Sequence, residues 1–496
     1  MSTLPTLRGK FKSASANLEK IHMKHLKSCA AAVLALLAAD AAFAQTTIRI
    51  TGSTAFRSAT IASVKNLLQP GFDQAYTGTS ASGFQYGTFV GLGNTASGLN
   101  GQALVIQCAW TGSVEGIRDV SQGLTQPFIK ADYVTTTTPI DNVSTNLAST
   151  YGSSLAVYEN AIPDVTLADN VQAITLFPSP ALKEARVGVI PFVWVKGRVL
   201  APVGGNLGHP AYTSFTNNLT NITNQLAQTL LSGGANLSLL TGVTADVGTK
   251  IYAFGRNPLS GTRVVTFTEM GFGTNTPTVQ FQPTLTYLPD PVTGLLTLVD
   301  PATRGLTGDT TTGPTTGTIT EITPSNEDTL NGFDVGNNGY SSGGTLVDEL
   351  GRTVTDITGA GNPLDGVPFG LVGYVGVSDA ARLLKNINTS LTTNVSYVLS
   401  YNGVSLNPVY TAGTTQTTAW DFTPVKEGKY SFWSYVYIGY RNVSGPQSTV
   451  ALAGNAKTFA DNLTSNIITT LPSSSGIKLS DMKVQRSSEG APITSL

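Results

Sequence analysis

Histidine is almost missing from this chain. Three of its 496 residues are histidine, and beyond residue 44 only His209 is left. One imidazole cannot build a histidine metal cluster, and it leaves little for general base chemistry. Cysteine is as scarce, with only Cys29 and Cys108. Cys29 belongs to a segment expected to be removed, so Cys108 has no partner for an internal disulfide or a thiolate metal site. Within Leu104-Val-Ile-Gln-Cys-Ala-Trp110 it reads as a small apolar filler of a buried strand. Charged residues are the third shortage, at 12%. Glycine, serine, threonine and asparagine are abundant instead, which gives a neutral, hydroxyl-rich surface without the basic footprint a nucleic acid needs. The formal net charge of −1 includes six Lys or Arg and two Asp or Glu within residues 1–44; the rest carries 23 against 28, a net −5. That balance opposes binding to a phosphate backbone. One small anion can still be held where a local site reverses the sign.

Long apolar runs are also lacking, with one exception near the N-terminus. Lys20, Lys24 and Lys27 precede the run Ala30–Leu37, and Ala42-Phe43-Ala44 follows with small residues at cleavage-site spacing. This is the pattern of a secretory signal peptide over residues 1–44, cleaved after Ala44, and it predicts a periplasmic or secreted protein. Met23 offers an alternative start that gives a leader of ordinary length. A core helix is the competing reading, and the basic flank and Ala-x-Ala end speak against it. Cys29 stands before the apolar run instead of closing it, which disfavours a lipoprotein leader. The run is too short for a permanent anchor, and no later segment is long and apolar enough to cross a membrane.

The length leaves ample material for a sizeable core in roughly two to four domains. Thr46–Thr51 alternates like a strand, Gly52-Ser53-Thr54 breaks it, and Ala55–Leu68 continues at helical spacing. Ala103–Trp110 repeats the pattern, with Thr111-Gly112-Ser113 opening a helix through Ile117. Between them Tyr76–Gly101 reads as Gly- and Ser-rich loop, and 120–160 as a polar insertion with some helix. Asp164–Ala168 and Val187–Val195 are strands, Tyr212–Leu231 and Ala235–Leu240 helices, and Lys250–Phe254 a strand. Residues 272–333 are rich in Thr, Pro and Gly and form a β-rich or loose insertion. Regular patterning resumes with a helix at Gly343–Leu350 and a strand at Gly370–Val375. Helices at Asp379–Lys385 and Ala456–Leu471 flank a strand at Tyr430–Tyr440. No internal repeat is present. The recurrence of strand, small-residue turn and helix predicts a layered α/β fold.

Three of these turns share a chemistry: Gly52-Ser53-Thr54, Thr111-Gly112-Ser113 and Ser260-Gly261-Thr262 each end a strand and start a helix. A helix N-terminus presents unpaired N–H groups and partial positive charge, Ser and Thr add donors, and Gly admits close approach. The bland alternative is that each hydroxyl caps its own helix. Arg256, four residues ahead of Ser260, adds a cation. Asp169 has its own bland alternative, as N-cap of Asn170-Val-Gln-Ala-Ile.

Taken in order, Ile50-Thr-Gly-Ser-Thr-Ala-Phe56, Trp110-Thr-Gly-Ser-Val-Glu-Gly116, Asp164-Val-Thr-Leu-Ala-Asp169, Arg256-Asn-Pro-Leu-Ser-Gly-Thr262 and Gly370-Leu-Val-Gly-Tyr374 resemble the phosphate-binding proteins of ABC transporters. The resemblance spans most of the chain beyond residue 44 but not its long insertions. It implies the two-lobed α/β fold of type II periplasmic binding proteins, each lobe a sheet flanked by helices. Lobe one would hold about 45–192 and 370–496, and lobe two about 193–369. It implies a ligand held by Thr54, the N–H of Ala55 or Phe56, Ser113, Arg256, Ser260, Gly261 and Thr262. Asp169 would accept a hydrogen bond from the ligand, which phosphate can donate near neutral pH and sulfate cannot. Two positions depart from the family. Pro258 stands where an aspartate often steers the arginine, and Arg57 stands where a proline is usual. Arg57 either adds charge to the site or faces solvent.

An enzyme reading has one foothold. Gly339-Tyr-Ser341-Ser-Gly343 fits the G-x-S-x-G elbow of hydrolases, which needs a histidine base after the serine, while His209 lies upstream. The match reads as a Gly-rich turn before the helix at Gly343. With no His cluster or Cys pair, the expectation is a non-enzyme without cofactor or metal. It would capture phosphate or a similar oxyanion between two lobes for ABC-type uptake, with an ABC permease as partner and no nucleic acid. The alternative is an extracellular structural or adhesive surface protein that keeps the fold without transport.

Overall fold

The computed structural model describes residues 45–134 other than 79, 144–146, 154–197, 210–285 other than 275, 317–322, 339–352, 369–387, 397–410, 417–446 and 449–496. The leader-like segment, His209 and most of 272–333 lie outside these residues.

Strand, turn and helix recur along the chain. β1 (Thr46–Gly52) leads into α1 (Arg57–Asn66). β2 (Asp73–Tyr76) and β3 (Tyr86–Leu92) follow, and β4 (Ala103–Ala109) leads into α2 (Ser113–Gln122). β5 (Ser144–Asn146), β6 (Val165–Ala168) and β7 (Lys183–Lys196) precede α3 (Pro210–Asn217) and α4 (Asn224–Leu231). β8 (Ala235–Asn236) and β9 (Lys250–Phe254) lead to α5 (Gly261–Glu269). Then come α6 (Gly343–Arg352), β10 (Phe369–Gly376), α7 (Val377–Ile387), β11 (Trp433–Tyr440) and α8 (Gly454–Thr470). The fold is mixed α/β, a large sheet flanked by helices.

The sheet runs β8-β9-β10-β7-β11-β6-β1-β4-β3-β2-β5. β1 is parallel to β4 and β6, and β9 is parallel to β10. The fourteen-residue β7 joins these two parallel groups: Lys183–Pro191 pairs with β11, and Phe192–Lys196 pairs with β10. Register decides where the groups point. β6 climbs along β11 toward Pro191, and β10 runs along β7 toward Phe192. The carboxyl ends of both groups therefore converge on the middle of β7. Crevices outside the carboxyl ends of parallel strands are where α/β sheets bind ligands.

Apolar burial holds this arrangement. β7 is buried from Val187 onward, and Trp194 packs edge-on against Tyr374 of β10 at 5.4 Å. Each such fully buried side chain contributes about 2–3 kcal/mol. Cys108 is fully buried in β4, as a filler should be, and burial pushes its thiol far above the ordinary range.

Three stretches differ from their sequence readings. Tyr76–Gly101 is not loop throughout, since β3 lies within it, paired along its length with β4. Its glycines hid the alternation. A side chain at Gly87 would start 2.4 Å from the Phe84 ring, and one at Gly91 2.7 Å from Phe72 Cβ, so aromatics from neighbouring loops fill the missing positions. Residues 120–160 hold an antiparallel strand pair, Gln126–Ile129 with Tyr158–Ala161, and among the described residues their helix is the end of α2 plus single 3-10 turns. The expected helix Tyr212–Leu231 is two helices. Lys196 Nζ donates to the carbonyls of Phe215, Thr216 and Leu219 at 2.8–3.0 Å, ending α3, and Thr223 Oγ1 accepts from Leu226 N to start α4. In the 272–333 region the described residues include a β pair, Phe281–Leu285 with Gly317–Glu321.

Candidate functional site

Each parallel strand ends in a turn that delivers one or two polar side chains to the convergence point. β1 delivers Thr54, β4 Ser113, β6 Asp169, and β9 Arg256 with Thr262 from the first turn of α5. β10 delivers Asp379 in the first turn of α7. All six are at least nine-tenths buried.

Five of these groups, all but Asp379, form one hydrogen-bonded chain. Ser113 Oγ donates to Asp169 Oδ1, and Thr262 Oγ1 donates to Asp169 Oδ2 at 3.1 Å. Arg256 Nη1 reaches Thr262 Oγ1 at 3.5 Å, and Nη2 reaches Thr54 Oγ1 at 3.3 Å. Residues up to 202 positions apart are thereby in contact. Asp169 is not an N-cap, because the 3-10 turn Gln172–Ile174 starts from Val171.

The cation is held by the backbone. Arg256 Nε donates to Tyr340 O at 3.1 Å and Nη2 to Ser341 O at 2.7 Å. The Arg256 N–H donates to Tyr374 Oη at 3.0 Å, and its carbonyl accepts from Arg263 Nη1 at 2.9 Å and Gln280 Nε2 at 3.1 Å. Burial pushes the guanidinium below its usual range, while Asp379 and then Asp169 hold it up. The same burial raises the Asp379 carboxyl, against the pull of Arg57, Arg256 and Arg382.

The helix N-termini play a narrower part than the sequence suggests. The amides of Val114 and Glu115 at the start of α2 both donate to Leu259 O, at 3.0 and 3.2 Å. The Phe56 N–H donates to Ser53 Oγ at 3.1 Å, so that amide is committed to its own turn. Ser260 caps α5, its Oγ accepting from Arg263 N at 3.4 Å. The bland capping reading thus describes Ser53 and Ser260. Thr54, Ser113 and Thr262 point into the shared cluster. Gly261 sits where α2 and α5 meet, and a methyl there would lie 2.5 Å from both Asn170 Oδ1 and Ser113 Oγ. The Ala55 methyl faces Gly376 at the end of β10. Pro258 lines a cavity of about 170 Å³, together with Val114, Leu176 and Arg263.

Sequence reasoning missed several participants. Tyr340 and Ser341 lie in the Gly339–Gly343 turn, whose carbonyls grip Arg256, and Gly339 makes the close approach with φ +158°. Tyr374 and Gln280 fix the Arg256 backbone. Asp379 carries no motif, and only its position after β10 could have singled it out. Arg57 does not simply face solvent: it is half-buried, and the carboxylate that acts on it most is Asp379. Among the described residues no group of His, Cys, Asp and Glu could hold a metal, and no helix is long and apolar enough to cross a membrane.

No family model matches the chain, and no curated protein matches it significantly. Solved structures with a similar course include a possible phosphate binding protein from Planctomyces limnophilus, 10% identical, covering 86% of this chain and 99% of that one at a TM-score of 0.31. A phosphate-binding protein from Stenotrophomonas maltophilia is 12% identical, covering 88% and 91% at 0.31. A further structure from that organism is 12% identical, covering 80% and 78% at 0.28. Overlaps with TM-scores this low say nothing about the ligand, which has to be argued from the site itself.

Proposed function

We propose that this chain is an exported solute-binding protein that captures phosphate or a similar oxyanion between two lobes. The observation that carries this is one buried guanidinium and three hydroxyls meeting one carboxylate at the carboxyl ends of the parallel strands. The lobes hinge in the middle of β7, where its partner changes from β11 to β10, with β10 counted in the half it pairs with. Entry of the anion exchanges internal hydrogen bonds for bonds to the ligand. Ser113 and Thr262 turn their hydrogens from Asp169 to ligand oxygens, Thr54 and the Ala55 amide add donors, and Arg256 supplies the charge. Asp169, released from its donors, accepts from a ligand hydroxyl. An unprotonated anion offers Asp169 no donor, and a hydrogen bond to a charged group is worth about 1.5–3 kcal/mol. The difference is about ten- to a hundredfold in affinity. The basic, apolar leader supports export, and delivery to a membrane permease follows from that reading.

Calorimetry with inorganic phosphate and sulfate tests this. Wild type should bind phosphate and discriminate against sulfate, and Asp169→Asn should weaken phosphate binding and erode that discrimination. Absence of phosphate binding, or unchanged selectivity in the variant, overturns the proposal.

A further inference from the structure

Asp379 is the carboxylate at the site that the hydrogen bonds leave unused. It is 5% exposed, and its Oδ2 is buried without a hydrogen-bond partner. A buried carboxylate in that state is costly unless opposite charges face it. The charges of three guanidiniums act on it, with no ion pair to it among the described residues. Arg382, on the same helix, is already paired with Asp348 of α6 through both of its carboxylate oxygens. Arg57 approaches from the first turn of α1, and Arg256 from the turn after β9. Among the described residues the Arg57 guanidinium has no hydrogen-bond partner.

Two glycines at the start of α6 keep these charges in view of each other. A side chain at Gly343 would begin 2.1 Å from Asp379 Oδ2 and 3.5 Å from Arg256 Nη1. One at Gly344 would begin 3.3 Å from both Arg57 Nη2 and Arg382 Nη1. Any larger residue at either position would wedge into the charged cluster.

We propose that the anion site contains two arginines, Arg256 and Arg57, and that Asp379 is the positioning residue that holds both guanidiniums toward the ligand. This rests on the oxyanion reading above and deepens it. A second cation fits a doubly charged tetrahedral oxyanion such as the phosphate dianion.

The sign of one measurement separates positioning from simple electrostatics. Removing a negative charge beside an anion site should strengthen anion binding by Coulomb's law alone. A positioning role predicts the reverse. Calorimetry of the full chain with inorganic phosphate, at fixed ionic strength, should give about tenfold weaker binding for Asp379→Asn, the scale of one misplaced charge-assisted contact. Gly343→Ala keeps every charge but evicts Oδ2 from its place, and it should weaken binding comparably. Arg57→Gln should also weaken binding about tenfold, and Asp379→Asn added to it should do less than it does alone, because the two act through one contact. Should Asp379→Asn fail to fold in an unfolding scan without phosphate, Gly343→Ala and Arg57→Gln each decide the matter. Wild-type binding with unchanged or tighter binding in these variants overturns the positioning role and leaves the oxyanion reading intact. A wild type that binds no phosphate overturns both.

Discussion

Gly261→Ala sets helix propensity against packing at the point where α2 and α5 meet. Gly261 is the first residue of α5, and alanine is the better helix former, by up to about 1 kcal/mol in a helix interior and less at its start. Propensity alone therefore predicts a slightly more stable protein. Packing predicts the opposite. The new methyl would lie 2.5 Å from Asn170 Oδ1, Ser113 Cβ and Ser113 Oγ, where carbon contacts normally begin near 3.5 Å. The two helix starts must part by about 1 Å, at an overpacking cost of about 1–3 kcal/mol. One of the atoms forced to move is the Ser113 hydroxyl, whose bond to the Asp169 carboxylate belongs to the class worth about 1.5–3 kcal/mol. The expected result is a net loss of stability and a ten- to hundredfold loss of phosphate affinity. Denaturant unfolding and phosphate calorimetry measure the two effects. Gly248→Ala is the control, since a methyl there meets nothing within 4 Å. It should leave affinity unchanged and stability within about 0.5 kcal/mol. If Gly261→Ala matches Gly248→Ala in both assays, the close approach of the two helices is not what builds the site.

Two further expectations follow from buried polar groups. Tyr374→Phe removes the acceptor of the buried Arg256 N–H and one donor to Gln280, so it should cost about 1–3 kcal/mol of stability and loosen phosphate binding; unfolding curves that superimpose on wild type would refute this. Lys196 is buried, and burial pushes its amine down to about 7. Above that pH it has lost its proton, whereas the unfolded chain keeps its own until about 10.5, so the unfolded state binds more protons and stability rises with pH across that window. Denaturant midpoints should rise from pH 7 to pH 10 in wild type and lack this component in Lys196→Met, which also strands three carbonyls; parallel profiles would exclude the effect.

Much of this protein was legible from residue order, because the local rules are local. Alternation gave β1, apolar runs gave strands at β4, β7, β9 and β10, and the small-residue turns located helix starts beside them. The same turns carried Thr54, Ser113 and Thr262, with Arg256 just ahead of the third, and the resemblance of the ordered motifs added Asp169, so a candidate site could be named before any geometry was known. The scarcity of histidine and cysteine had already narrowed the chemistry. Tertiary structure decided what local patterns cannot encode. β3 was hidden because the spaces at Gly87 and Gly91 are filled by Phe84 and Phe72, outside the strand itself. The amides of α2 were spoken for by a carbonyl nearly 150 residues away, which no spacing rule foresees. Asp379 carries no motif, and it belongs to the site because register brings the end of β10 to the middle of β7. Sequence named the donors; the meeting of distant strand ends decided which of them are turned toward one another.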